Sequence, residues 1–240
     1  MNSLTGDIRR VGDGDLNLLL SERRGRGLFL DKRDKDLLPK DVYIKGEWEK
    51  FVNSPRVAIV GVRDSDREDL LEKTRAVSCY LSTEGFNIVS GYARGVDRHA
   101  HLAALEAGGL TTMVLPFGMK YLFSKDQEIQ WDPLFEPPVP ATWESQALWI
   151  SPFAWQQVPN RRTPLRRNKW TCHLSKAIIV MASHIGGGTF YTAKLALRMS
   201  KPLWVWDTDI QGNQELIRRY NATPFKDPQT IDLSEIMSKP

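Results

Sequence analysis

Short apolar runs alternate along this chain with longer amphipathic ones, and that alternation is its main structural signal. Arg56-Val-Ala-Ile-Val-Gly61 is apolar, rich in β-branched residues and closed by glycine, the pattern of a strand buried on both faces. Asp66–Thr83 follows with Leu70, Leu71, Val77, Tyr80 and Leu81 at helical spacing, acids in the first turn and Gly85 as a stop. The order then repeats: Phe86–Ser90 reads as a strand, Asp97–Ala107 as a helix stopped by Gly108-Gly109, and Leu110–Leu115 as a strand. Phe117–Pro140 is irregular and proline-rich, a surface excursion, and Ala147–Ile150 reads as a short strand. Arg166–Ser175 is then a helix and Ala177–Ala182 a buried strand. Gly186-Gly187-Gly188 opens a helix to Met199, Pro202–Trp206 is a strand, and Asn213–Tyr220 is a last helix. Nearly all-apolar strands alternating with helices predict an α/β fold, a doubly wound, mostly parallel, Rossmann-like sheet with helices on both faces. Ligands of such folds sit beyond the carboxyl ends of the strands. Residues 1–41, charged and dotted with glycine, are expected to form an N-terminal arm or vestigial cap, and residues 42–240 the Rossmann domain.

Composition narrows the class. With 240 residues, 41% of them hydrophobic, the chain can bury a core, and disorder is excluded. Two cysteines, Cys79 and Cys172, cannot build a disulfide framework, and no CxxC pair points to zinc. The amino terminus lacks an apolar signal core and no apolar run is long enough to span a bilayer, so a cytoplasmic protein with no membrane partner is expected. The net charge of +4 hides an asymmetry: residues 151–201 hold nine Lys or Arg and no Asp or Glu. A solvated surface normally mixes both signs, so a one-sign stretch predicts a focused positive surface with phosphate as its counterpart.

The predicted strand ends hold the candidate chemistry. Glycines 186–188 lack Cβ atoms, so their N–H groups can form an anion-binding nest with the positive end of the following helix behind it; the alternative is a tight turn and nothing more. No Lys-Ser or Lys-Thr follows, so this is no Walker loop, and Gly61–Asp66 does not match the dinucleotide GxGxxG. Arg63 and Arg94 each stand where the backbone leaves a strand. A guanidinium there can fork onto a phosphate, or pair internally with an acid such as Asp64 or Asp97. Asp97 and His101 are four apart on one helix face, but no third ligand accompanies them, so no metal is expected. Asp97 is expected to cap its helix and His101 to pack against a backbone partner. Five of the eight tryptophans fall within residues 131–170, interleaved with Arg161, Arg162, Arg166, Arg167 and Lys169. Most of these indoles are expected to cover the core; Trp155 and Trp170, nearest the basic cluster, are expected to stack on bases.

These segments together resemble the DNA-processing protein A family (DprA, also called Smf). Val57-Ala-Ile-Val-Gly-Val-Arg63 is similar to the family's VAIVGSR. Ser90-Gly-Tyr-Ala-Arg-Gly-Val-Asp97 with Ala100-His101 is similar to SGLARGID…AH, Leu165-Arg-Arg-Asn168 to FPxRNR, and Gly188-Thr-Phe-Tyr-Thr-Ala193 to GSLxTA. Val42–Gly46 and Gly212–Ile217 resemble its flanking LYVKG and GxNxLI, in the same order, so the likeness spans roughly residues 42–224. The departures are Val62 in place of the serine of VGSR, a missing YPxxN segment after the third strand, and Ser151-Pro152 in place of a serine-glutamate. Only 16 residues follow Pro224, so a carboxy-terminal winged-helix domain is expected to be lacking.

The resemblance implies an extended Rossmann domain that binds single-stranded DNA, dimerises and loads a RecA-type recombinase in natural transformation or recombination. By matching motif it assigns the DNA to Arg63, Ser90, Gly91, Arg94, Arg166, Arg167, Asn168, Lys169, Gly186, Gly187, Gly188 and Thr189. The expectation is therefore a non-enzymatic single-strand binder without a cofactor. Two alternatives use the same glycine-rich pocket. One is a sensor of a free nucleotide signal. The other is a phosphoribohydrolase similar to the LOG proteins, whose catalytic Glu would fall on Thr192 here.

Overall fold

The computed structural model describes residues 8–11, 42–46, 48–63, 67–122 and 141–238. Its nine strands are β1 (Ile8–Val11), β2 (Val42–Lys45), β3 (Arg56–Val60), β4 (Asn87–Gly91), β5 (Thr111–Val114), β6 (Ala147–Ser151), β7 (Ala177–Val180), β8 (Leu203–Trp206) and β9 (Thr223–Phe225). The helices between them are α1 (Trp48–Val52), α2 (Glu68–Thr83), α3 (Val96–Glu106), α4 (Ala141–Glu144), α5 (Thr163–Leu174), α6 (Gly188–Arg198), α7 (Gln211–Tyr220) and α8 (Leu233–Ser238). The strands form one sheet in the order β1-β2-β6-β5-β4-β3-β7-β8-β9. The seven from β6 to β9 run parallel, while β1 and β2 add an antiparallel margin beside β6. The doubly wound, mostly parallel α/β sheet read from the sequence is present.

Side chains of the central strands alternate between two cores, as the two-residue period of a strand requires. Val57 and Ile59 of β3 face one layer, packing with Leu70, Val77 and Leu81 of α2 and Val96, Ala100 and Ala104 of α3. Ala58 and Val60 face the other, with Trp170 and Leu174 of α5, Phe190, Ala193 and Ala196 of α6, and Leu216 of α7. Both faces of β3 and β7 are thus covered, which is why Val57–Val60 and Ala177–Val180 are apolar at every position. Met113, Trp149, Phe117 and Leu122 belong to a third cluster at the β5–β6 end.

The chain builds outward from β3 through β4 to β5 and β6, then crosses back through α5 to β7 on the other side of β3. The strand order reverses at β3, so its carboxyl end opens onto the crevice in which doubly wound sheets hold ligands. Ile8–Val11, within the segment read as an arm, form the edge strand of this same sheet. Residues 12–41 of the segment read as an arm, Trp131, and most of the excursion over 117–140 lie outside the described residues. Among the described residues no helix is long and apolar enough to cross a membrane.

Part of the positive charge is structural. Lys201 is 4% exposed, and its Nζ donates to the carbonyls of Cys172, His173 and Ser175 at the carboxyl end of α5. Arg56 is also buried, and its Nε donates to Leu174 O at 2.8 Å. Both cations satisfy carbonyls that a helix end leaves open and sit at its negative pole. Lys176 and Arg198 belong to the same edge of the sheet, where the parallel strands begin. The acid-free stretch is therefore not one continuous basic track: Lys176, Arg198 and Lys201 lie across the molecule from the strand carboxyl ends.

Candidate functional site

The carboxyl ends of β3, β4, β5 and β7 open into a cleft of about 1420 Å³. Its wall includes Gly61, Val62 and Arg63 after β3, Gly91 to Arg94 after β4, and Pro116 and Phe117 after β5. Residues 158–161 and the exposed side of α5 close one flank, and His184 with residues 187–189 the other. Arg63, Arg94 and Arg161 are exposed at its mouth. Gly95 holds the first two of these loops together. It has φ +70°, and its Cα lies so close to the Val62 and Arg63 carbonyls that a Cβ would come within 2.5 Å of both oxygens. The adjacent Val96 N–H donates to Val62 O at 3.2 Å.

The glycine loop is positioned from two sides. Thr189 Oγ1 donates to Gly61 O at 2.9 Å, which fastens the start of α6 to the end of β3. Asn168 Nδ2 donates to Gly188 O at 3.3 Å, which fastens it to α5. Gly187 is the N-cap of α6 and makes no side-chain cap, so the first-turn N–H groups are left for another acceptor. Gly186, with φ +74°, makes the turn on the exposed outer side of the loop.

Beneath the cleft lies a buried polar cluster. Arg167 is 3% exposed; its Nη1 donates to Val114 O at 3.2 Å and lies 3.6 Å from Asp97 Oδ2. The guanidinium packs against the backbone of Gly91, where a Cβ would lie 1.3 Å from Nη1. Burial pushes the Asp97 carboxyl above the usual carboxylate range, against the pull of the Arg167 charge, and lowers Arg167 to about 10. His101 is fully buried with Nε2 2.6 Å from Gly91 O and Nδ1 2.6 Å from Thr111 Oγ1. Nε2 faces a carbonyl, which only accepts, so the neutral ring carries its proton there; the Thr111 hydroxyl stands between Nδ1 and the Ile88 carbonyl, 2.9 Å from the latter.

Burial holds His101 neutral, with its pKa lowered from 6.5 to about 4. The unfolded chain binds this proton below pH 6.5 and the folded one does not until about pH 4, so acidification across that window favours unfolding. About 3 kcal/mol should be lost between the two pH values, read by denaturant unfolding at each, and His101→Gln should remove most of that dependence.

Of the residues assigned from sequence, the cleft wall holds Arg63, Gly91, Arg94, Arg167, Asn168, Gly187, Gly188 and Thr189. Ser90, Arg166, Lys169 and Gly186 are not on it. Ser90 is buried, donating to Ile59 O at 2.6 Å, and Arg166 lies over the Phe153 ring, 5.4 Å from its centroid. Arg167 is on the wall but is spent on Asp97 and the Val114 carbonyl, so it props up the floor. Three expectations need correction. Asp97 does not cap α3, whose N-cap is Gly95 without a side-chain cap; the carboxylate turns under the cleft to the buried guanidinium. Trp170 is 5% exposed in the core, and Trp155 packs against it with its ring centroid 5.4 Å from that of Tyr43, so neither is a free stacking platform. Finally, α5 starts at Thr163: Asn160 Oδ1 accepts from the N–H groups of Arg162 and Thr163, and Pro164 occupies the first turn, where a missing N–H costs nothing. The run Asn160-Arg-Arg-Thr-Pro164 carries this start signal in the sequence.

A model of the DNA recombination-mediator protein A family matches residues 32–235. Protein Smf of Borreliella burgdorferi is 27% identical over 156 residues, 65% of this chain and 47% of its own length. DNA processing protein DprA of Streptococcus pneumoniae is 25% identical over 166 residues, 69% of this chain and 55% of its own. The chain thus spans about half the length of these curated relatives. Among solved structures, DNA processing protein A from Helicobacter pylori, described for its single-stranded DNA binding mode, superposes with a TM-score of 0.67 at 24% identity. The match covers 85% of this chain and 92% of that one.

Proposed function

The chain belongs to the DNA recombination-mediator protein A family, and from that premise and the geometry of the cleft we propose that it binds the phosphate backbone of single-stranded DNA. One observation supports this above the others: an uncapped helix amino terminus faces a cleft whose mouth bears the exposed guanidiniums of Arg63, Arg94 and Arg161. Backbone N–H groups and forked guanidiniums are the donors that phosphate oxygens accept from. In this reading Arg63, Arg94, Gly187, Gly188 and Thr189 meet phosphate, joined by Arg161. Ser90, Gly91, Arg167 and Asn168 shape the surface those residues stand on, and Arg166, Lys169 and Gly186 border it.

The cleft serves binding rather than catalysis. Asp97 is the one carboxylate on its described wall, and it is buried against Arg167. The position of a LOG-type catalytic Glu is Thr192, whose hydroxyl donates to Gly188 O at 3.0 Å. The finer reading follows the family resemblance: residues 42–240 are the binding domain, to whose sheet Ile8–Val11 add an edge strand. The protein acts as a cytoplasmic homodimer that passes its strand to a RecA-type recombinase in DNA processing or transformation.

Fluorescence anisotropy of a labelled thymidine oligonucleotide tests the ligand class, with unlabelled duplex, ATP and GMP as competitors. Tight binding that neither duplex nor free nucleotide displaces at equal concentration is the expected result. Efficient displacement by ATP or GMP would make the cleft a nucleotide-signal site.

A further inference from the structure

Phosphate binding leaves the apolar part of the cleft's rim unexplained. Among the described residues, five large hydrophobic side chains are more than a third exposed: Val158 at 47%, Leu165 at 47%, Ile185 at 58%, Tyr191 at 37% and Met237 at 52%. Three of the five stand at the glycine loop, and Val158 is on the other flank of the cleft. Val158 and Leu165 line the cleft, Ile185 is in the loop itself, and Tyr191 is in the first turn of α6. Leu165 abuts the loop so closely that a Cβ on Gly188 would lie 3.7 Å from its Cδ2. Apolar side chains scattered singly over a surface need no explanation, whereas a group of them bordering a binding cleft marks a contact site.

We propose that Val158, Leu165, Ile185 and Tyr191 form a nucleobase-contacting rim, packing on the bases of a strand whose phosphates lie at the start of α6 and on the arginines. The inference rests on the reading of the cleft as a single-strand site and adds the half of the ligand that reading leaves out. Its occupant follows from the arrangement of charge. An uncapped helix start and exposed guanidiniums stand directly beside aliphatic surface, and a single strand offers the complement, a polyanionic backbone with unpaired apolar base faces. A duplex hides those faces in its stack. Three aliphatic side chains and one phenol ring hold no ordered set of donors and acceptors, so the rim reads the presence of a base and not its identity. It takes over the contact that the sequence assigned to Trp170, buried in the core, and to Trp155, half-buried against Tyr43.

The test compares a thymidine oligonucleotide with an abasic strand of the same length, on the full chain and on the double variant Leu165→Ser/Ile185→Ser. The wild type should bind the thymidine strand at least about tenfold more tightly than the abasic one. The variant should lose most of that difference while its abasic affinity and its salt dependence stay unchanged. Both positions are exposed, so the fold should survive, as a melting curve would verify; if it does not, Tyr191→Ser is read in the same way. An equal loss on both strands would overturn the inference, as would a wild type indifferent to the missing bases. A change in sedimentation with DNA binding intact would also overturn it, making the patch a contact between copies of this chain. Failure of the wild type to bind either strand would instead remove the single-strand reading beneath it.

Discussion

Arg167→Met should lower the unfolding free energy by about 3–5 kcal/mol at neutral pH, the cost of leaving a buried charge without its partner. The guanidinium is the tip of a flexible side chain, but it has no room to move. It is 3% exposed, 3.6 Å from Asp97 Oδ2, bonded to Val114 O and pressed on Gly91. Met fills similar volume and removes the charge, so Asp97 is stranded in the floor. The double variant Asp97→Asn/Arg167→Met should recover most of the loss, because two neutral side chains leave nothing ionised to desolvate. The pH dependence has a definite sign. Burial already raises the Asp97 carboxyl above its unfolded value, and losing Arg167 raises it further. Between the unfolded and folded values the native state holds a proton that the unfolded chain has released, so stability falls as pH rises through that window. The deficit of Arg167→Met relative to wild type should therefore shrink on acidification, and His101 acts in the same direction, because the Arg167 charge is one of the causes that hold its pKa down. A deficit under 1 kcal/mol, or one constant with pH, would mean that the pair is not holding the floor.

Gly187→Asp should separate stability from binding. Gly187 is the N-cap of α6 with φ −74° and ψ 171°, extended backbone that any residue adopts, and Asp is among the best N-caps. The new Cβ would approach His184 O to 3.0 Å, a contact that an exposed loop relieves by shifting a few tenths of an ångström. The fold should therefore be unchanged or a few tenths of a kcal/mol more stable. Affinity for single-stranded DNA should fall at least about tenfold, because the carboxylate takes the N–H groups and repels the phosphate that would use them. Gly187→Asn caps without the charge and should bind better than Gly187→Asp. Equal binding by Asp and wild type, measured by anisotropy, would place the phosphates away from α6.

The core strands were legible in the sequence because a strand covered on both faces reads as an unbroken apolar run: Val57–Val60, behind the buried Arg56, and Ala177–Val180 appear almost as expected. The margins were not. Val42–Lys45, Ile8–Val11 and Thr223–Phe225 are three or four residues each, too short to show a period, and the structure alone reveals them as strands. In the site, the glycines and the strand-end arginines could be found because their backbone positions are dictated locally. Arg167 and Trp170 could not be separated from their neighbours Arg166 and Lys169, since which side of α5 turns inward depends on the sheet it packs against. Charge counting failed in the same way: Lys201 and Arg167 count as basic residues in a sequence, yet both spend their charge on buried internal partners.

Strand binding in the cleft is tested most directly by the salt dependence of binding to a thymidine oligonucleotide, measured for wild type, Arg63→Ala and Arg198→Ala. Arg63 is exposed at the cleft mouth, whereas Arg198 is equally charged at the far end of α6. A single-strand phosphate contact contributes about 0.7 to the log–log salt slope. The slope should fall by about that amount in Arg63→Ala, with weaker binding, and remain at the wild-type value in Arg198→Ala. Equal changes in the two variants, or none in Arg63→Ala, would contradict the claim that this cleft holds the strand.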